Sequence, residues 1–256
     1  MKGVVLPLAL TLAVQSLTSM AMIAPLVMAP VVALELGVSP QGIGWFVTLE
    51  YSFAMASGLA CGGLIGRYGP LRVCQIAVCL AAAGLAVGTA GALPLVFAAA
   101  ALIGAGYGVV NPASSYILVR AAPPGMMSLI FSIKQTGVPV GGALAGALVP
   151  PLVLYLSWRW SAAAAALLCL LLALLIQPVC AADADARRGG SVRASAGFFG
   201  PLRLVLANPA MLEVAIVSLI FSSTQITLIA FLVSYLNLEL GYTLVAAGLV
   251  LSLIHI

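Results

Sequence analysis

The sequence SLTSMAMIAPLV (16–27) recurs in altered form as SSTQITLIAFLV (222–233), and the tetrapeptide LELG follows each copy, at 34–37 and at 238–241. Six of the twelve aligned positions in the longer segments are identical. We interpret the pattern as an internal duplication. In each copy the glutamate is expected to face water, and the glycine is expected to end a helix.

The chain has the composition of an integral membrane protein. Of its 256 residues, 64% are hydrophobic and 6% are charged, whereas an ordinary soluble domain has about 25% charged residues. Its mean hydropathy is +1.24. The apolar runs are long and do not alternate, which indicates membrane-spanning helices of about 20 residues rather than barrel strands. We therefore predict an all-α membrane protein.

Seven apolar stretches are predicted to span the membrane, and an eighth begins near residue 243, which gives seven to eight helices. Spans 1 to 7 are placed at about 6–34, 43–65, 73–92, 95–119, 126–155, 160–179 and 211–236. Because the sequence is still apolar at Ile256, we expect a fragment that does not transport alone. We assign 1–180 to a first six-helix half, 181–207 to a cytoplasmic linker and 208–256 to the start of a second half.

Basic residues fall on one side of the membrane if the spans alternate in direction. These residues are Lys2, Arg67, Arg72, Arg120, Arg187, Arg188, Arg193 and Arg203. The opposite loops carry a single basic residue, Arg159. Since basic loops favour the cytoplasm, we predict a cytoplasmic N-terminus in the plasma (inner) membrane. Both LELG copies then lie outside, and the two halves are parallel, as in one large class of transporters.

Residue content argues against several other functions. The sole histidine is His255, and the only aspartates, Asp183 and Asp185, lie in the linker. We therefore expect no enzyme, cofactor or metal site. The net charge of +4 does not indicate nucleic acid, and the five cysteines are interpreted as small core residues. A channel or a non-transporting membrane scaffold is the alternative to a carrier.

The stretch GGLIGRYGPLR (62–72) follows span 2. Its glycines permit a tight turn, and its arginines favour the cytoplasmic face. It resembles the loop signature of the major facilitator superfamily, Gly-x-x-x-Asp-Arg-x-Gly with a basic residue shortly after. The matching residues are Gly62, Arg67, Gly69 and Arg72. Gly66 stands where that family has the aspartate, which helps latch helices on the cytoplasmic side.

Span 5 contains FSIKQTGVPVGGALAGALVPP (131–151), in which small residues allow a close helix contact and Pro139 allows a bend. The motif resembles the Gly-Pro-Gly-Gly signature of superfamily antiporters. The matching residues are Gly137, Pro139, Gly141 and Gly142. The resemblance implies a bundle of the superfamily type that transports a small organic solute, and we expect a monomer. The polar candidates of the cavity are mostly neutral and small, with the single cation Lys134, which admits organic anions and drug-like solutes equally. The resemblance leaves proton-coupled antiport and other coupling open.

Span 4 contains GAGYGVVNPASS (104–115). We expect Gly104, Gly106 and Gly108 to form one smooth helix face, and Asn111 to place a polar side chain in the membrane at about the depth of Lys134.

Polar residues within spans 1, 4, 5 and 7 are candidates to line a central cavity, because the resemblance assigns these spans to it. The candidates are Lys134, Gln135, Asn111, Gln15, Thr18, Ser19, Thr224 and Gln225. Lys134 lies one turn before Gly137, so we expect it to face the cavity, to be reachable by water and to attract a substrate anion. Snorkelling to the headgroups is the alternative. Glu50 lies at another depth, so it is not expected to pair with Lys134.

Overall fold

The computed structural model describes residues 2–39, 42–187 and 200–255. Within these ranges the chain forms ten α-helices, which confirms the predicted all-α architecture. They are α1 (Lys2–Leu36), α2 (Ile43–Tyr68), α3 (Pro70–Gly88), α4 (Leu93–Ala121), α5 (Met127–Gln135), α6 (Gly137–Tyr155), α7 (Trp158–Arg187), α8 (Gly200–Ala207), α9 (Pro209–Ser234) and α10 (Leu244–His255).

Six helical stretches of the described chain are long and apolar enough to cross a membrane. They are Gly3–Leu36, Pro70–Gly88, Leu93–Ala121, Pro124–Tyr155, Trp158–Ala182 and Pro209–Glu239. The helix α2 has 26 residues, the length of a span, but Glu50, Arg67 and several glycines make it less apolar than these six. Leu244–Ile254 is a shorter apolar helix. The chain is therefore a multi-pass membrane protein.

Several helix boundaries differ by a few residues from the sequence prediction, and two of them bear on the loops. The third helix begins at Pro70 rather than near residue 73, because Gly69 adopts a φ of 83° and proline suits the first helical position. The helix α7 continues to Arg187, beyond the predicted end near residue 179, so part of the predicted linker is helical. The linker residues Arg188 and Arg193 lie outside the described residues.

The bundle has two ends, which we name by their residues. The basic end holds Arg67, in the last turn of α2, and Arg72, in the first turn of α3. The Glu35 end holds Glu35, at the end of α1, and Arg159, at the start of α7. The main apolar core lies between α1, α3, α4 and α7, where many positions are alanine or valine, so the helices pack closely.

Both LELG copies occur where a helical segment ends. Gly37 has a φ of 62° and Gly241 a φ of 70°, a left-handed conformation that glycine adopts without strain. Glu35 and Glu239 are exposed. The second copy follows a wider π-type turn over Tyr235–Glu239. The expectations that the glutamate is exposed and that the glycine ends the helix are thus confirmed for both copies, and the side of the membrane that they face stays a prediction.

The helix α9 touches the first six spans mainly through the half nearest the Glu35 end. Ala230 and Val233 are buried there, and Ala230 packs with Leu26 of α1 and Phe46 of α2. Most side chains in the other half of α9 are exposed. The contact is therefore confined to one end of the bundle.

The helix α10 crosses α6 through two glycines. A Cβ atom on Gly248 would overlap the carbonyl oxygen of Gly146 and the ring of Pro150, so only glycine permits this approach. Near the crossing, the Ser252 hydroxyl donates a hydrogen bond of 3.1 Å to the Ala143 carbonyl oxygen. This crossing is a second close contact between the segment after residue 208 and the first six spans.

Candidate substrate site

Lys134 is the central residue of the candidate site. It lies in the last turn of α5, its side chain is 1% exposed, and its Nζ donates a hydrogen bond to the Asn111 Oδ1 atom of α4. The predicted common depth of the two residues is confirmed by this bond. The expectation that water reaches Lys134 is wrong for this conformation, because the ammonium lies beneath neighbouring side chains while Asn111 is exposed.

The Lys134 ammonium has no acidic partner among the described residues. The ion pair that the described residues do form joins Glu35 and Arg159, at the Glu35 end of the bundle. Cys74 of α3 lies near Lys134 but is a weak acceptor. The ammonium has three donors, and the described contacts assign one of them, to Asn111. A buried cation in this state is a suitable group to receive an anion.

Two glycines of α6 bring α1 next to Lys134. A Cβ on Gly137 would lie 2.8 Å from the Gln15 Cβ, and a Cβ on Gly141 would overlap the Ser16 carbonyl oxygen and crowd Ser19. The prediction that another helix approaches this motif is confirmed, and that helix is α1. Gln15 is 1% exposed, and its Oε1 has no hydrogen-bond partner in the described chain.

Tyr107 is a site residue that sequence reasoning missed. It faces Ser19 of α1, and it precedes Asn111 by four residues, on the same face of α4. That spacing was a usable signal, because a half-buried phenol one turn from a polar side chain extends a hydrogen-bonding surface. We call Gln15, Ser19, Tyr107, Asn111 and Lys134 the polar belt.

Four sequence-predicted candidates are not part of the polar belt. Thr18 is buried, and its hydroxyl donates to the Val14 carbonyl oxygen of its own helix at 2.7 Å. Gln135 is exposed beside Lys134. Thr224 and Gln225 are exposed on α9, and Thr224 donates to the Ile220 carbonyl oxygen at 3.1 Å. The described chain does not bring Thr224 or Gln225 to Lys134.

The family model described as Major Facilitator Superfamily matches residues 10–256. The chain belongs to the Major Facilitator Superfamily. Among solved structures it is similar to the peptide transporter POT in complex with sulfate, at 21% identity and a TM-score of 0.57, over 91% of this chain and 46% of that chain. It is similar also to a mutant of POT in complex with alafosfalin, at 19% identity and a TM-score of 0.56, over 88% of this chain and 46% of that chain.

These two similarities show the superfamily fold alone, because the identities are low. The chain spans just under half the length of these transporters. No curated protein matches the chain.

The superfamily loop at the basic end is held without its usual aspartate. Arg72 Nη1 donates hydrogen bonds to Gln75 Oε1 at 2.5 Å and to Gln177 Oε1 at 2.8 Å. Gln75 Nε2 in turn donates to the Ala173 carbonyl oxygen at 2.8 Å. Arg67 is exposed over the Tyr68 ring. The loop is thus tied to α7 by amide groups, and Gly62, also part of the signature, is half-buried in α2.

Replacing Arg72 by alanine is expected to reduce the free energy of unfolding by about 2 kcal/mol, since it removes two hydrogen bonds from a charged donor. The matched variant Arg67→Ala is expected to lose less than about 1 kcal/mol, because Arg67 makes only an exposed ring contact. Thermal unfolding midpoints in detergent measure the difference. Equal losses in the two variants would contradict the role of the Arg72 contacts.

The Gly-x-Pro-x-Gly-Gly stretch begins at the junction of α5 and α6. The helix α5 ends at Gln135 and α6 begins at Gly137, with Thr136 between them. Thr136 itself keeps helical backbone angles, with a φ of −62° and a ψ of −14°. Pro139 has no N–H to donate to the Gln135 carbonyl group four residues earlier, and its ring crowds that carbonyl. Gly142 is buried on the same helix. A bend at this junction, one turn from Lys134, stays a prediction.

The glycines of α4 allow close contacts with two different helices, α2 and α3. A Cβ on Gly104 would overlap the Glu50 carbonyl oxygen of α2, and a Cβ on Gly108 would overlap the Ala54 carbonyl oxygen of the same helix. A Cβ on Gly106 would lie 2.6 Å from the Ala77 carbonyl oxygen of α3. The prediction of a single smooth face is wrong, because residues two apart on a helix point in nearly opposite directions.

The Glu35 end is fastened by a cluster that sequence reasoning also missed. Arg159 Nη2 lies 2.5 Å from Glu35 Oε1, and the Trp158 indole N–H donates to Glu35 Oε2 at 2.6 Å. The Arg159 guanidinium stacks 4.5 Å from the centre of the Trp158 ring. These contacts join the end of α1 to the start of α7. The sequence did offer a signal for this cluster, because Glu35 and Arg159 have opposite charges and lie in loops predicted to be on the same side of the membrane.

An apolar cavity of about 250 Å³ lies beside that cluster. Its walls come from α1, α2, α3, α4 and α7 and include Met28, Phe46, Phe97 and Trp158. It does not contain the polar belt. The chemistry needed to orient a charged solute is therefore found at Lys134 rather than in this cavity.

Proposed function

We propose that the chain is the first half, with the start of the second, of a secondary active transporter for small organic solutes that carry a negative charge. The observation that carries the proposal is Lys134, an ammonium buried against Asn111 with no acidic partner among the described residues. A charge in a low-dielectric site acts strongly on an anion. Gln15, Ser19 and Tyr107 supply neutral hydrogen-bonding groups for the uncharged part of an organic anion or amphipathic drug.

The helix contacts support alternation between two open states. The helix α9 meets the first six spans near the Glu35 end, whereas its other half is exposed. Pro139 removes one backbone hydrogen bond from the fifth span, which allows α5 and α6 to bend relative to each other. We infer a first half at 1–180, the start of a second half at 208–256 and a linker at 181–207, with the basic end in the cytoplasm and the plasma membrane as location. Proton-coupled antiport by a monomer completes the proposal.

The test is counterflow in proteoliposomes that contain the full-length transporter, with a panel of anionic solutes and their neutral esters. The variant Lys134→Gln is expected to reduce the affinity for the anions by about 10- to 100-fold, because it removes a charge-assisted contact of about 1.5–3 kcal/mol. Transport of neutral esters and insertion into the membrane are expected to change little.

Arg120→Gln is the matched control, because it removes an exposed positive charge that stacks on Tyr116. It is expected to transport anions as the wild type does. Unaltered counterflow of every anion by Lys134→Gln would overturn the proposed site. If labelled solute crossed the membrane but did not accumulate against its gradient by exchange, the protein would instead be a channel.

A further inference from the structure

Glu50 is fully buried in α2, and neither of its carboxyl oxygens has a hydrogen-bond partner among the described residues. The buried cation Lys134 is not its partner, because no hydrogen bond or ion pair joins the two side chains. An ionised carboxylate without a partner is very costly in an apolar interior. The Glu50 carboxyl is therefore neutral in this conformation, which means that it carries a proton.

Two neighbouring helices approach α2 at or near Glu50. The backbone of α2 lies so close to α4 that a Cβ on Gly104 would overlap the Glu50 carbonyl oxygen. One turn earlier on the same face of α2, Phe46 packs in one apolar cluster with Ala100 of α4 and Ala230 of α9. This cluster joins the first half to the segment after residue 208. A contact that must open if the two halves part therefore lies one turn from Glu50.

The titratable groups that face Glu50 are two phenols. Tyr51 lies next to it on α2, and Tyr107 faces it from α4. The helices α1, α3 and α9 also touch α2, and none of their described residues brings a charge to Glu50. Tyr107 also faces Ser19, and both residues belong to the polar belt, so Glu50 borders the belt through Tyr107. A change in the charge of Glu50 therefore changes the electrostatic potential at the candidate substrate site.

We propose that Glu50 binds a proton when the contact between α2 and α9 closes one turn away from it, at the Glu35 end. With the contact open, water reaches the carboxyl, which ionises and releases its proton to that water. Closing buries an unpartnered charge unless the carboxylate first takes a proton from the same water to form the neutral acid. No other bond changes. The inference deepens the proposed function, because it assigns the closing step of the transport cycle to one residue.

The first measurement is the infrared spectrum of the chain at neutral pH in a detergent without ester or carboxyl groups, because the ester carbonyls of lipids absorb where a protonated carboxylic acid does. The carbonyl band of a protonated carboxylic acid is expected in the wild type and absent in Glu50→Gln. Glu35→Gln is the matched control, because the exposed Glu35 is ionised at neutral pH and its removal leaves the band unchanged. The wild-type spectrum decides the point even if Glu50→Gln folds poorly. A wild type without the band overturns the proposal.

The second measurement is the rate at which a maleimide labels Ala230→Cys, whose position is buried while the contact is closed. The labelling rate of Ala230→Cys is divided by the labelling rate of the double variant Ala230→Cys with Glu50→Gln. This ratio is expected to rise with pH, because ionised Glu50 favours the open contact, and to approach unity in acid. The ratio cancels the ionisation of the thiol itself, and Ala230→Ser corrects for the native cysteines. A ratio that does not vary with pH overturns the coupling. Neither measurement uses a substrate, so its failure leaves the counterflow test unaffected.

Discussion

Replacing Gly104 by alanine is expected to reduce the free energy of unfolding of the chain by about 3 kcal/mol, near the upper end for overpacking. The added Cβ would overlap the Glu50 carbonyl oxygen, which is a backbone atom and cannot move aside by changing rotamer. The crossing of α2 and α4 must therefore widen along its whole length. Thermal unfolding in detergent is expected to show a clearly lower midpoint.

Gly63→Ala is the matched control, because Gly63 is a helical glycine of α2 at which an added Cβ would meet no other atom within 4 Å. Alanine favours helices by up to about 1 kcal/mol over glycine, so this variant is expected to be as stable as the wild type or slightly more stable. If the two variants unfolded at the same temperature, the close crossing of α2 and α4 would be refuted.

Replacing Lys134 by methionine is expected to raise the free energy of unfolding and to weaken anion binding at least as much as Lys134→Gln does. A buried ammonium without a carboxylate partner opposes folding, and methionine removes the cost of burying the charge. We expect a gain of about 1–4 kcal/mol, the range found when apolar residues replace buried ion pairs. Asn111 is exposed, so its amide keeps water as a partner after the change. The measurements are the thermal midpoint in detergent and the binding of the anions used in counterflow.

Gln135→Met controls for methionine on this helix, because Gln135 is the exposed neighbour of Lys134. It is expected to change stability by less than about 0.5 kcal/mol. A loss of stability in Lys134→Met would show that Lys134 supports the fold rather than a substrate. A gain in stability with intact anion binding would show that the charge is not the binding group.

The sequence predicted what depends on local pattern and on helix geometry. Runs of apolar residues indicated the helices, and the glycine of each LELG indicated a helix end, since both are properties of a short segment. The rise per residue placed Asn111 and Lys134 at one depth, and their hydrogen bond confirms it. The close approach expected at Gly137 and Gly141 was confirmed as well.

Partners far apart in the chain were not predictable from one sequence. Arg72 bonds to Gln177, 105 residues away, and no local pattern indicates that pairing. The burial of Lys134 depends on the side chains that cover it. The depth of Lys134 in the membrane, which the sequence predicted, does not identify those side chains. The sequence did not indicate that α4 has two glycine faces. The structure shows them, because Gly104 contacts α2 and Gly106 contacts α3.

The polar contacts that join helices at the two ends of the bundle respond differently to dissolved salt. Glu35 and Arg159 are opposite full charges with side chains 43% and 42% exposed, so ions in the medium screen their attraction. Arg72 is held by the carbonyl oxygens of two neutral amides, at which screening has much less effect. As ionic strength rises, α1 and α7 therefore loosen at the Glu35 end while the basic end stays fastened. In the proposed orientation, the rigidity of the outer face follows the salinity of the surroundings, and that of the cytoplasmic face does not.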